Sequence, residues 1–177
     1  MATVARWPAK EGIGALLERE RELREARELL VDAHRQRGRL LLIEAPPGLG
    51  KSTLVDHIGA LADAEGLRVL KAAGHELERG LGWGVARSLF EPWLFAATPA
   101  DRDELLSGPA ASARILFEAD ADADPRPASE VSFGILHGLY WVALRLAEAT
   151  PLLIVVDDAH WADEPSPLSL LRARPDR

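Results

Sequence analysis

The feature that most constrains the fold of this chain is a short run in which an apolar segment, a glycine-containing turn and a helical pattern follow one another directly. The run is Leu40-Leu-Leu-Ile-Glu-Ala-Pro-Pro-Gly-Leu-Gly-Lys-Ser-Thr-Leu54. Apolar residues then recur at helical spacing, at Leu54, Val55, Ile58, Leu61 and Ala62. The pattern predicts a β-strand over residues 40–44, a tight loop, and a helix that runs to about residue 65 and ends before Gly66.

The loop has the composition of a phosphate-binding loop. Gly48 and Gly50 let the backbone approach an anion closely, because no side chain stands in the way. Lys51 would place a compact cation against the outer phosphates, and the Ser52 hydroxyl suits a Mg²⁺ ligand position. The alternative is a chance glycine-rich turn between a strand and a helix. The candidate phosphate-contacting residues are Ala45, Pro46, Pro47, Gly48, Leu49, Gly50, Lys51, Ser52 and Thr53.

One position departs from the usual form of this loop, which is Gly, four residues, then Gly-Lys-Ser/Thr. Ala45 stands where that first glycine is expected. Alanine costs little at such a position if the backbone there does not need a positive φ, and is strained if it does.

Composition limits the class of protein. The 177 residues are 47% hydrophobic and 28% charged, which is ordinary for one soluble globular domain. The formal charge of -7 argues against a nucleic-acid-binding surface, so we expect no direct DNA binding. The absence of cysteine excludes disulfides and thiolate metal sites, and no signal peptide or membrane span is recognisable. We therefore expect a cytoplasmic protein without membrane contact.

Before the loop, residues 1–14 have little periodicity and are expected to form a flexible arm. Residues 15–34 have amphipathic helical spacing, and Gly38 is expected to end that element. After the loop and its helix, residues 67–72 predict a second strand. Strand, helix and strand in this spacing predict a βαβ unit with a parallel sheet.

The middle of the chain predicts mainly helices. Residues 74–84 form a glycine-rich loop whose Gly80-Leu-Gly-Trp-Gly84 run resembles a second phosphate cradle but lacks the following Lys-Ser/Thr. Helices are predicted over 85–95, over 102–107 and 113–119 with Asp101 and Ser112 as N-caps, and over 130–149, where Pro151 stops the last one. Residues 120–129 are acidic and proline-broken, which predicts an exposed, mobile loop.

A second informative run is Leu152-Leu-Ile-Val-Val-Asp-Asp-Ala-His-Trp-Ala-Asp163. Five consecutive apolar residues predict a strand buried on both faces of a parallel sheet. A carboxylate at its end is suited to bind Mg²⁺ beside the phosphates, and Asp157 is the candidate. Asp158 is the candidate catalytic residue, whose carboxylate would polarise the attacking water. The alternative for this pair is a helix N-cap, and the five histidines show no metal-ligand spacing.

These motifs together resemble the AAA+/STAND P-loop ATPases, and most closely the N-terminal ATPase modules of large LuxR-type bacterial transcriptional regulators. The similarity covers most of residues 15–165. It includes Leu17-Glu-Arg-Glu-Arg-Glu-Leu23, the phosphate loop, His75-Glu-Leu-Glu-Arg-Gly80 with Phe90-Glu-Pro92, and Asp157-Asp-Ala-His-Trp-Ala-Asp163. In the family a Gly-Arg-Glu box lies near the nucleotide base. Arg19 and Glu20 match it, with Glu18 in place of the glycine.

The resemblance implies an α/β fold, a P-loop NTPase three-layer sandwich with a parallel sheet, here incomplete at its C-terminal side. It implies ATP and Mg²⁺ as cofactors and an ATP-dependent switch, with self-association or docking to a sensor or output domain as further expectations. The domain is expected over residues 15–165, and residues 166–177 are expected to form an irregular tail. Whether the chain hydrolyses ATP is left open.

Family members continue into a further strand that lies between the phosphate-loop strand and the Asp157 strand. Without it, either those two strands pair directly or the fragment is poorly stable, because a sheet slot with unpaired backbone groups remains. Three functions stay in view. The first is an ATP-Mg²⁺-binding module with weak or absent hydrolysis; the second is a non-catalytic interaction fragment or gene remnant. The third, a small-molecule or nucleotide kinase, is disfavoured because no second Arg-rich segment for an acceptor phosphate is present.

Overall fold

The computed structural model of the chain describes residues 19–46, 48–75, 83–118 and 128–159. In these ranges the elements are α1 (Glu20–His34), α2 (Lys51–Ala64), β1 (Arg68–Ala73), α3 (Gly84–Ala96), α4 (Pro99–Leu105), a 3₁₀ helix (Gly108–Leu116), α5 (Ala128–Ala149) and β2 (Leu152–Asp157). The predicted arm, the predicted tail and the Gly80–Gly82 part of the glycine-rich run lie outside the described residues. So does most of the predicted 120–129 loop, although its last two residues belong to α5.

The two strands pair side by side in one sheet. The Arg68 N–H donates to the Pro151 carbonyl at 2.8 Å, and the Gly74 N–H donates to the Asp157 carbonyl at 3.0 Å. Residue numbers rise together along the two strands from the first bond to the second, so the strands run parallel. The predicted α/β class with a parallel sheet is therefore confirmed, and both strands lie within one residue of their predicted ranges.

The strand predicted over residues 40–44 does not form. In the described residues the sheet consists of β1 and β2, and the 40–44 segment pairs with neither strand. Leu40 is 66% exposed, and Leu41 and Leu42 are exposed as well. A strand depends on a hydrogen-bonded neighbour, and apolar residues do not substitute for one. The predicted βαβ unit through α2 is accordingly absent.

The prediction that β2 is buried on both faces is also wrong. Val155 is buried, but Ile154 is 44% exposed and the other residues of β2 are only partly covered. A parallel strand is buried on both faces where neighbouring strands and helices surround it. Here β2 has β1 on one edge, and the 40–44 segment does not pair with the other edge.

The described residues divide into two compact units, and each contains part of both strands. The first unit comprises residues 19–70 and 147–155. Its α1 packs against α2 through a buried cluster of Ala26, Leu54 and Ile58. Ile43 and Leu153 pack against this same cluster. Ile43 therefore anchors the 40–44 segment, and with it the start of the loop, although no strand forms.

The two helices of the first unit end differently. α1 ends at His34, four residues before Gly38, and the left-handed residue that follows it is Gln36 at φ +60°. The prediction that Gly38 ends this element is therefore wrong. α2 ends as predicted: Gly66 has φ +83° and its N–H donates to the Asp63 carbonyl. The next N–H, of Leu67, reaches back to Ala62 at 2.9 Å, which completes a Schellman motif.

We predict that Gly66→Ala destabilises the fold by about 1 kcal/mol, because alanine is strained at φ +83° although its Cβ would meet no atom within 4 Å. Gly38→Ala is the matched control, since that glycine also has open space around it and does not have a positive φ. Thermal melts of both variants measure the difference. Equal melting temperatures would contradict the backbone explanation.

The second unit comprises residues 71–146 and 156–159. α3 and α5 form as predicted to within two residues at each end. The N-cap of α4 is Thr98, whose hydroxyl accepts the Asp101 N–H at 3.2 Å, so Asp101 lies inside the helix and its predicted cap role is wrong. Pro99 favours this earlier start, because proline suits the first turn of a helix.

Ser112 is likewise not an N-cap. It lies inside the 3₁₀ helix, whose N-cap is Ser107, and its hydroxyl donates to the Gly134 carbonyl of α5 at 2.6 Å. Arg145 of α5 donates to the Glu104 and Leu105 carbonyls at the end of α4. Side-chain bonds therefore tie the short helices to α5. No helix in the part of the chain that the structure describes has the length and apolarity needed to cross a membrane.

Candidate functional site

The described part of the predicted phosphate loop contains two glycines in the left-handed backbone region. Gly48 has φ +82° and Gly50 has φ +70°, and an added Cβ at either would meet no atom within 4 Å. Both positions therefore need glycine for its backbone conformation, in addition to any room that an anion would require. Ala45 is not among the residues with positive φ, so alanine fits this position without backbone strain. Pro47 lies outside the described residues.

Helix α2 begins directly at Lys51, and this places a helix N-terminus at the end of the loop. Gly50 is the N-cap and supplies no side-chain acceptor, while its carbonyl accepts the Leu54 N–H at 3.0 Å. The first N–H groups of an α-helix have no intrahelical acceptor, and the helix dipole makes this end positive. Ser52 and Thr53 are exposed in this first turn. The arrangement suits an anion.

The Lys51 ammonium folds back over the start of the loop. Its Nζ donates to the Ala45 carbonyl at 2.7 Å and to the Pro46 carbonyl at 3.2 Å. An incoming phosphate oxygen would take the place of these neutral acceptors, and a charged acceptor makes the stronger hydrogen bond. The loop thus holds a cation where the outer phosphates are expected.

Arg19 also contacts the loop. It is the N-cap of α1, and its Nη2 donates to the Leu49 carbonyl at 2.9 Å. Its Nη1 donates to Glu22 Oε1 at 2.7 Å. This hydrogen bond from Arg19 lowers the pKa of the Glu22 carboxyl. The guanidinium therefore links the first turn of α1 to the tip of the loop.

A cavity of about 180 Å³ lies beside the loop within the first unit. Ligand pockets that bury a drug-sized molecule are typically ~300–1,000 Å³, so this cavity cannot enclose a whole nucleotide. Its walls are Arg19, Glu22 and Glu25 of α1, residues 41–45, and Lys51, Leu54 and Ile58 of α2.

Asp157 and Asp158 belong to the second unit, at the end of β2. The Asp158 N–H donates to Asp157 Oδ1 at 2.9 Å, which orients that carboxylate. Asp158 itself has φ +47°, a left-handed conformation that aspartate adopts more readily than most residues. The second carboxylate oxygen of Asp157 is suited to a cation or its water.

A resident metal site built from protein groups alone is not found in the described ranges, where no three His, Asp or Glu side chains group together. A Mg²⁺ ion bound with a nucleotide takes most of its oxygen ligands from phosphates and water. A Mg²⁺ ion that arrives with a nucleotide therefore does not require such a cluster.

The predicted site residues are divided between the two units. Arg19, Ala45 and Lys51 meet at the loop in the first unit, whereas Asp157 and Asp158 are in the second. The sequence interpretation missed Glu22 as the partner of Arg19. The available signal was its position three residues later on the helix, where opposite charges meet.

The comparisons with known proteins decide the family. A family model described as an AAA ATPase domain matches residues 15–174, nearly the whole chain. The chain belongs to the AAA ATPase domain family. Comparisons with curated proteins and with solved structures gave no match. The match covers every motif of the predicted resemblance, from Arg19 to the Asp157 run.

Proposed function

We propose that this AAA ATPase domain binds ATP with Mg²⁺ through its phosphate loop. The observation that carries the proposal is the geometry around Lys51: two positive-φ glycines lead into a helix N-terminus, and the ammonium lies over the loop. Membership of the AAA ATPase domain family supports it. The choice of ATP over GTP rests on that family.

The loop residues from Gly48 to Thr53 have proposed roles in binding. Backbone N–H groups from Gly48 to Thr53 would donate to the phosphates, and Lys51 would donate to the outer ones. The Ser52 hydroxyl would serve as the protein's direct Mg²⁺ ligand. Magnesium, when bound, would neutralise charge that develops between the outer phosphates.

Hydrolysis is a separate proposal that rests on the end of β2. The Asp157 carboxylate would bind the Mg²⁺ ion directly or accept hydrogen bonds from its water ligands. Asp158 would orient and polarise a water molecule for attack on the γ-phosphorus. The Asp158 N–H bond to Asp157 Oδ1 supports the role of Asp157, because it holds that carboxylate in a defined orientation at the end of β2. We propose weak turnover, with ATP binding serving as a switch in a transcriptional regulator of the LuxR type.

The test is a calorimetric titration of the chain with ATP, in the presence of Mg²⁺ and again in EDTA, repeated for Asp157→Asn. We expect binding in the parent that is at least tenfold tighter with Mg²⁺, and a loss of most of this difference in Asp157→Asn. GTP titrated in parallel measures base selectivity. A Mg²⁺ effect that is the same size in the variant would remove Asp157 from the proposed metal position.

A second candidate function, a non-catalytic interaction module, is supported by the exposed apolar residues of the first unit. Leu40, Leu41 and Leu42 lie in a segment that pairs with neither described strand, and Ile154 is exposed on β2. Exposed apolar groups of this kind favour association. Docking to a sensor or output domain, or self-association, would cover them. Light scattering of the chain with and without nucleotide separates this candidate from the first.

A further inference from the structure

We propose that Arg19 is a positioning residue that holds the Leu49–Gly50 peptide of the phosphate loop in one orientation, and that it acts on phosphate binding and not on the base. The proposal rests on the proposed nucleotide site. It rests on two hydrogen bonds of one guanidinium, to the Leu49 carbonyl at 2.9 Å and to Glu22 at 2.7 Å.

The orientation of this peptide matters because its two polar groups point in opposite directions. No peptide bond in the described residues is cis, so the Leu49 carbonyl and the Gly50 N–H point in opposite directions within the peptide plane. Pulling the carbonyl oxygen toward α1 turns the Gly50 N–H away from Arg19. A flipped peptide would present a carbonyl oxygen in its place, and that oxygen would repel an anion.

The loop needs such a restraint because glycines flank Leu49. Both Gly48 and Gly50 have positive φ in open space, and glycine exchanges between conformations at little cost. Leu49 is exposed, so its side chain does not fix the peptide. The guanidinium is the group that the structure places on it.

Arg19 can exert this restraint because both of its ends are fixed. Its carbonyl accepts the Leu23 N–H at 3.0 Å, the first bond of α1, and α1 packs firmly on α2. Glu22, one turn further on, holds the second guanidinium nitrogen. A planar guanidinium serves two acceptors in a fixed geometry, which a lysine ammonium does not reproduce.

The test compares two ligands that share phosphates but not a base. Arg19→Gln is titrated with ATP-Mg²⁺ and with inorganic tripolyphosphate-Mg²⁺. The control is Arg21→Gln, which removes the same charge from the same helix. Arg21 pairs with Glu25 at 3.0 Å, but its side chain is 85% exposed and the pair does not include the loop. We expect Arg19→Gln to weaken both ligands by about tenfold and Arg21→Gln to change neither by more than about twofold.

If Arg19 reads the base, Arg19→Gln weakens ATP while tripolyphosphate binds as in the parent, and the proposal is overturned. Equal losses in both Arg variants would mean a general charge effect and would also overturn it. If the parent binds neither ligand, the nucleotide site fails together with the inference. If the parent binds both ligands and Arg19→Gln binds them with the same affinity as the parent, only the inference fails.

Two further variants separate positioning from mere stabilisation. Arg19→Lys keeps the charge but loses the planar guanidinium that serves two acceptors. We therefore expect it to recover less than half of the affinity that Arg19→Gln loses. Glu22→Gln removes the ion pair and should weaken tripolyphosphate in the same direction as Arg19→Gln. The melting temperatures of the ligand-free variants should stay within about 2 °C of the parent. A large drop without ligand, with unchanged affinity in the folded fraction, would make the role of Arg19 structural only.

Discussion

Replacing Lys51 with alanine is expected to weaken ATP-Mg²⁺ binding by about a hundredfold, which in most assays will register as no binding. A hydrogen bond to a charged group contributes roughly 1.5–3 kcal/mol, and Lys51 faces the most highly charged part of the ligand. The fold should persist, because among the described residues the ammonium donates to the Ala45 and Pro46 carbonyls of its own loop and not to another element. Calorimetric titration measures the affinity, and a melt of the ligand-free variant measures the fold.

The control for this variant is Arg21→Ala, which removes one positive charge from an exposed position in the same unit. It should bind nucleotide like the parent, since exposed charges at a distance are screened by salt. Unchanged affinity in Lys51→Ala would sink the assignment of the loop. Equal weakening in both variants would show that overall charge, and not the loop lysine, attracts the nucleotide.

Replacing Gly138 with alanine is expected to destabilise the second unit. A Cβ at this position of α5 would lie 2.6 Å from the Ala113 backbone nitrogen and 2.8 Å from Ser112 Oγ. Backbone cannot move aside as a side chain does, so the 3₁₀ helix and α5 must separate or shift. Such overpacking costs about 1–3 kcal/mol, and separation also threatens the hydrogen bond from Ser112 to Gly134.

The matched control is Gly134→Ala, one turn earlier on the same helix. Its Cβ would meet Ser112 Cβ at 3.7 Å, an ordinary contact. Because alanine favours a helix interior over glycine by roughly 1 kcal/mol, this variant should be as stable as the parent or more stable. Denaturant melts of both variants give the comparison. A Gly138→Ala chain as stable as Gly134→Ala would mean that the two elements do not approach as closely as described.

Much of the fold could be predicted from local signals. The α/β class, α2, α3, α5 and both strands follow from apolar periodicity with clear stops, such as the left-handed Gly66 and the proline at 151. The predictions that failed were those that depended on a partner far away in the sequence. The apolar residues at 40–44 have strand character, but a strand forms only if another strand lies beside it, and the segment's own composition does not reveal that.

The predictions of the helix N-caps failed for a different reason. Thr98 and Asp101 both have side chains that cap helices, and only the preference of Pro99 for the first turn decides between them. At the loop, the sequence predicted close approach of an anion at Gly48 and Gly50, whereas their positive φ was not predicted, because glycine permits that conformation without requiring it. The hydrogen bond from Arg19 to Leu49 could not be predicted, because the two residues are 30 positions apart and the acceptor is a backbone carbonyl, which every residue has.

The most direct test of a working nucleotide site is a thermal melt of the 177-residue chain with and without ATP-Mg²⁺. A ligand at a hundred times its Kd stabilises the folded state by about 2.7 kcal/mol. For a chain of this size that corresponds to a rise of roughly 5–10 °C in Tm. A cooperative transition that rises by this amount, with no rise in Lys51→Ala, is the predicted result. A cooperative transition that nucleotide leaves unmoved at millimolar concentration would contradict it.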